Sequence, residues 1–167
     1  MSRAIDAIIV PRSGVINFDE RRCLECRECE VACSLYHEKE CNPSLSRIQI
    51  DFDDFIPRFP RIQICKQCDW PSCYYACLSI HKEPAIYIDE RTGARVIDED
   101  KCMGCGACAS ACPLMPERAV IKYKEEGRRR IYFKCDLCKD RENGPICVEV
   151  CPTKALTFVT AEQRRKR

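Results

Sequence analysis

Sixteen of the seventeen cysteines in this chain fall into four closely spaced quartets, and that pattern constrains the fold more tightly than any hydrophobic periodicity. The quartets are Cys23, Cys26, Cys29 and Cys33; Cys65, Cys68, Cys73 and Cys77; Cys102, Cys105, Cys108 and Cys112; and Cys135, Cys138, Cys147 and Cys151. The first and third read C-x2-C-x2-C-x3-C. Three thiolates at this spacing lie on one tight loop and can wrap three corners of a 4Fe-4S cubane. The fourth, placed on the first turn of a helix leading away, cannot reach the same cube and in two-cluster proteins serves the other one.

The second run widens its second gap to Asp69-Trp70-Pro71-Ser72, and the fourth run widens the same gap to Lys139 through Ile146. Each excursion contains a proline and can loop outward without displacing the cysteines. Pro113 and Pro152 follow the fourth cysteines of the last two runs, where a fixed φ and a missing N–H help to turn the chain. Zinc is the bland alternative, but zinc sites take two C-x2-C pairs per metal, not three even steps and a fourth. A disulfide scaffold would suit this cysteine density in a small secreted domain. Met1 to Val10, interrupted by Asp6, offers no export signal, and no run approaches the roughly 18 apolar residues of a membrane span. The expectation is a soluble cytoplasmic chain, without direct membrane insertion, whose thiols stay reduced and open to iron.

The apolar runs are short and rich in Ile, Val, Tyr and Phe: Ala7 to Val10, Ile48 to Ile50, Ile62 to Ile64, Ala85 to Ile88, Ala119 to Ile121, Ile131 to Phe133 and Leu156 to Val159. They read as short strands bracketing the cysteine runs, each of which leads into a short helix. Arg91 to Ala94 reads as a hairpin turn, and Lys124 to Arg130 as another. Clusters must replace much of an ordinary core, so the metal-free chain is expected to be largely unfolded. The fold class expected is α+β, built from ferredoxin-like units with short strands, short helices and long cluster-binding loops.

The second and fourth runs, Cys65 to Cys77 and Cys135 to Pro152, resemble those of the four-cluster iron-sulfur subunits of molybdenum and tungsten oxidoreductases, over about Val15 to Val159. The stretch from Cys33 through Asn42 to Ile48 is similar to the small subunits that accompany aldehyde ferredoxin oxidoreductase-type tungsten enzymes, among them tungsten benzoyl-CoA reductase. The resemblance implies two nested modules: residues 58–125 inserted into an outer module made of 1–57 and 126–167. It also implies four 4Fe-4S clusters. These would be held by Cys23, Cys26, Cys29 and Cys151; by Cys135, Cys138, Cys147 and Cys33; by Cys65, Cys68, Cys73 and Cys112; and by Cys102, Cys105, Cys108 and Cys77. The implied role is electron transfer without catalysis, between a tungsten or molybdenum pterin subunit and an external carrier such as ferredoxin. A free-standing polyferredoxin shuttle and a zinc-stabilised binding module are the competing readings.

Outside the quartets, Cys41 reads as a plain loop cysteine, and His37 and His81 are not needed as ligands because every quartet is complete. Trp70, Tyr74 and Tyr75 read as aromatic packing around a cluster. No glycine-rich phosphate loop is present. The formal charge of +2 would become about −6 with four clusters of about −2 each, so the loaded chain is acidic. Arg128 to Arg130 and Arg164 to Arg167 read as solvated basic runs, not a nucleic-acid surface.

Overall fold

A computed structural model describes residues 11–51 and 60–166. Eight strands form four antiparallel two-stranded ribbons among these residues. β1 (Val15–Phe18) pairs with β8 (Leu156–Val159), and β2 (Ile48–Asp51) with β3 (Arg61–Ile64). β4 (Ile86–Ile88) pairs with β5 (Arg95–Ile97), and β6 (Ile121–Glu126) with β7 (Arg129–Lys134). Five short α-helices lie among the described residues: α1 (Glu28–Glu38), α2 (Ser72–Ile80), α3 (Ala107–Ala111), α4 (Ile146–Glu149) and α5 (Ala161–Arg165). No helix among the described residues is long and apolar enough to cross a membrane.

A two-stranded ribbon has little surface to bury, so the core is split and completed by cysteine. One cluster gathers Ile16, Ile48, Ile50, Ile62, Ile64, Val96, Leu137 and Leu156 around Cys29, Cys33, Cys135, Cys147 and Cys151. The other gathers Ile86, Ile97, Val120, Ile121 and Ile131 around Cys77, Cys102 and Cys108. Alternate strand residues face inward, as Ile48 and Ile50 do on β2, which follows from the two-residue period of a strand.

Several sequence expectations need correction. The turn expected over Lys124 to Arg130 is confined to Gly127 and Arg128: the strands continue up to it, with Glu125 opposite Arg130 and Glu126 opposite Arg129. Opposite charges facing each other across a ribbon stabilise it. The strand expected at Ala119 begins only at Ile121. The basic run near the end is not a loose tail, for α5 is capped by Thr160 and Gln163, and Arg164 reaches Asp69 at 2.8 Å and the Ser13 carbonyl at 2.8 Å. The strand expected at Ala7 to Val10 lies outside the described residues.

One polar network ties distant segments together. Glu38 of α1 and Glu99 share two cations, Lys124 at 2.8 Å from each and Arg47 at 3.4 and 2.5 Å, while Arg47 also stacks on the Phe133 ring.

Candidate functional site

The four cysteine runs share a backbone plan that their sequences only partly reveal. The residue before the second cysteine takes a positive φ in all four: Glu25 (59°), Gln67 (48°), Gly104 (73°) and Leu137 (61°). Left-handed backbone is natural for glycine and strained for the other three, and it persists only where surrounding structure imposes it. It turns the loop so that successive sulfurs face one side. The third cysteine is then the second residue of a helix in every run, Cys29, Cys73, Cys108 and Cys147. The fourth cysteine is not on that first turn: Cys33 and Cys77 lie one turn further along α1 and α2, on the same face as the third, and Cys112 and Cys151 lie just past the ends of α3 and α4.

Three cavities are each lined by four cysteines. One holds Cys65, Cys68, Cys73 and Cys112; the next Cys23, Cys26, Cys29 and Cys151; the third Cys77, Cys102, Cys105 and Cys108. Each set takes three cysteines from one run and the fourth from another. The remaining four, Cys33, Cys135, Cys138 and Cys147, are buried together: burial and then the neighbouring Cys33 and Cys138 push the Cys147 thiol far up. A zinc site draws four sulfurs to about 2.3 Å from a single ion and leaves no cavity. Hollows each walled by four thiols from two separate runs fit a larger metal-sulfur guest.

The electrostatics favour the same guest. Burial first, then neighbouring charges, pushes Cys29, Cys108 and Cys138 up to about 12 and Cys73 to about 11, so bare thiolates are disfavoured there and iron would offset the cost. Cys151 is the exception. Burial raises it, but the backbone N–H of Leu156, the Thr153 hydroxyl and the N–H groups of Ala155 and Thr153 bring it below its ordinary value. Other sulfurs accept hydrogen bonds in place: Cys23 from Glu25 N at 3.4 Å, Cys33 from Arg47 N at 3.3 Å, and Cys102 from Tyr132 N at 3.5 Å.

Three buried polar residues that sequence reasoning missed join the second run to the fourth. Gln67 accepts from Arg95 N and donates to the Cys135 carbonyl, each at 2.8 Å. Lys134 donates to the carbonyls of Arg95 and Cys135, with Nζ 3.7 Å from Cys65 Sγ. Burial works against its ammonium, yet Cys65, Cys73, Cys135 and Asp136 hold its pKa above the ordinary lysine value. Burial pulls the Arg95 guanidinium below its ordinary value even though Asp69, Cys65 and Cys68 oppose the shift. Gln67 and Lys134 are neighbours of cysteines in sequence, but only long-range pairing buries them and brings Arg95 beside them.

The histidines sit closer to sulfur than expected. His81 Nε2 lies 3.2 Å from Cys105 Sγ, and His37 Nε2 lies 3.7 Å from Cys138 Sγ and 3.4 Å from Asp136. Cys41 is exposed, as a loop cysteine would be. Tyr74 packs against the second core, but Trp70 is 64% exposed and stacks on Tyr75, so it does not wrap a cluster.

Comparison with known proteins accords with this geometry. The family described as "4Fe-4S dicluster domain" matches residues 57–161. The chain belongs to this family. Its relatives include YsaA of Escherichia coli (strain K12), 35% identical over 154 residues that cover 87% of this chain and 88% of that one. The polyferredoxin-like subunit of aliphatic sulfonate oxidoreductase from Pyrococcus furiosus is 39% identical, over 86% of this chain and 76% of its own length. The electron transport protein HydN of E. coli (strain K12) is 31% identical, over 89% and 93%. Among solved structures, a chain of the BamBC active site complex of benzoyl coenzyme A reductase is 26% identical over 87% of this chain and 76% of that one, with a TM-score of 0.45. This is therefore a 4Fe-4S ferredoxin-like protein of the electron transport class.

Proposed function

We propose that this dicluster-family chain carries four 4Fe-4S clusters and serves as the electron-transfer subunit of a larger oxidoreductase. The observation that carries the reading is the set of three matched cavities, each walled by three cysteines of one run and the fourth of another. The ligand sets are Cys23, Cys26, Cys29 and Cys151; Cys33, Cys135, Cys138 and Cys147; Cys65, Cys68, Cys73 and Cys112; and Cys77, Cys102, Cys105 and Cys108. Such clusters, when bound, take up and release one electron each. In module terms, 58–125 is inserted into an outer unit of 1–57 and 126–167, with the β2–β3 ribbon bridging one junction and β6–β7 the other.

The side chains support a linear order. Cys29 acts on Cys147 across the first and second sets, Lys134 stands between Cys135 and Cys65, and Cys73 acts on Cys108. Each end of that line reaches the surface through an exposed cysteine, Cys26 or Cys105, beside an exposed apolar side chain, Leu24 or Met103. Electrons therefore enter at one end and leave at the other. The partner we infer is a catalytic subunit of tungsten or molybdenum pterin type, with an external carrier such as ferredoxin on the other side. The relative named as a polyferredoxin-like subunit of an oxidoreductase and the Cys33 to Ile48 resemblance support this choice.

Affinity isolation from native extract, with metal analysis, is the test. A stoichiometric complex with a pterin-containing subunit, an interface above about 1,000 Å² and about sixteen irons per chain are expected. Recovery of a fully loaded monomer that serves several unrelated enzymes would replace the subunit with a shuttle.

A further inference from the structure

Two buried cations face a single one of the three cavities. Arg95 on β5 is 1% exposed and lines the cavity of Cys65, Cys68, Cys73 and Cys112. Its Nη1 donates to the Gly93 carbonyl at 2.6 Å, but Nε and Nη2 are buried without an acceptor. A buried guanidinium N–H without a partner is costly, which points to an acceptor that the protein itself does not provide. Lys134, 3% exposed, lines the same cavity with its ammonium beside Cys65.

The other cavities lack this arrangement. Arg27 and Glu28, of opposite sign and both exposed, line the cavity of Cys23, Cys26, Cys29 and Cys151. The cavity of Cys77, Cys102, Cys105 and Cys108 has an exposed Lys101 and the half-buried His81. Exposed charges are screened by water and salt, whereas a buried charge acts through a low dielectric. Lys134 also stands near Cys135 in the fourth group, but there the half-buried Asp136 opposes it.

We propose that Arg95 and Lys134 make the Cys65, Cys68, Cys73 and Cys112 centre the first of the four to be reduced, so that a lone electron rests in the middle of the chain. The inference rests on the four-cluster reading above. Reduction adds one negative charge and neither makes nor breaks a bond. Arg95 supplies N–H groups to sulfur and, with Lys134, a positive field, and both raise the affinity for that charge. The electron is held away from both exposed ends until a second one arrives.

The test is an anaerobic potentiometric titration of the whole loaded chain, with dithionite as reductant and electron paramagnetic resonance as readout. Cys68→Ser assigns the signals, since it alters only the spectrum of its own centre. The first signal to appear is expected to be the one that Cys68→Ser changes. Arg95→Met is expected to weaken its reduction at least tenfold, a drop of 59 mV for one electron. Arg95→Lys is expected to recover most of that loss. Lys134→Met is expected to shift the same signal in the same direction, and it decides the matter if Arg95→Met loads poorly. A first signal untouched by Cys68→Ser overturns the inference, as does a fully loaded Arg95→Met, or failing that Lys134→Met, with an unmoved midpoint. A native chain with too little iron for four clusters would instead sink the parent reading.

Discussion

Gln67 offers the sharpest test of how the second and fourth cysteine runs are held together. It is fully buried, accepts from Arg95 N and donates to the Cys135 carbonyl, each at 2.8 Å. Gln67→Leu keeps the volume and removes both bonds. The Arg95 N–H is then left buried without that acceptor, at about 1–3 kcal/mol. The Cys135 carbonyl keeps Lys134 at 3.4 Å, so it forfeits only one bond, about 0.5–1.5 kcal/mol. The sum is about 1.5–4.5 kcal/mol. Unfolding of a cluster protein is irreversible, so the useful measurement is the rate of bleaching in denaturant. At 1.36 kcal/mol per tenfold, that rate is expected to rise between about tenfold and about a thousandfold if this contact has opened at the barrier. A variant with full iron content that bleaches within about twofold of the native rate would refute the reasoning.

Gly104→Ala puts a Cβ 2.5 Å from the Arg130 carbonyl in a left-handed residue, so iron is expected to fall to about twelve per chain. Gly127→Ala, with open space around it, costs only the backbone strain, about 1–2 kcal/mol, and is expected to keep full iron. Burial lowers the Lys124 pKa, but the bonds to Glu38 and Glu99 outweigh it and leave the value raised from 10.5. Its stabilisation is therefore complete below about 10.5 and is lost as the pH climbs through the higher folded value. Bleaching rates from pH 7 upward are expected to accelerate in that alkaline window for the native chain, while Lys124→Met bleaches faster at neutral pH and shows no such step. Cys112→Ala is expected to alter the resonance signal that Cys68→Ser also alters; a change confined to the Cys102, Cys105 and Cys108 centre would refute the proposed exchange of fourth cysteines.

Cysteine spacing and short isoleucine runs made the cluster loops and most strands legible, because both patterns are local. Gly104 makes the left-handed turn with a glycine, but Glu25, Gln67 and Leu137 make the same turn without one, so the plan is visible only in the backbone. The full length of the β6–β7 ribbon is not legible because its charges look like a loop by composition; their meaning lies in the pairing of Glu125 with Arg130 and Glu126 with Arg129. Nothing in the sequence marks Gln67, Arg95 or Lys134 as buried. Their burial follows from the way β5 and β7 are brought together, which no single window of sequence contains.

The β1–β8 ribbon joins the first described strand to one that begins at Leu156, and that has a consequence in time. A ribosome makes about 5–20 residues each second. The cavities completed by Cys112 and by Cys77 with Cys108 have no wall beyond Lys134 and can close before residues 135–156 are made. The cavity of Cys23, Cys26, Cys29 and Cys151 cannot exist until about 1–4 s later, when its last wall, Leu156, has been made. Iron delivery to this chain thus has a built-in sequence, from the middle outward. The three early cysteines near the N-terminus wait through that interval as open, oxidisable thiols.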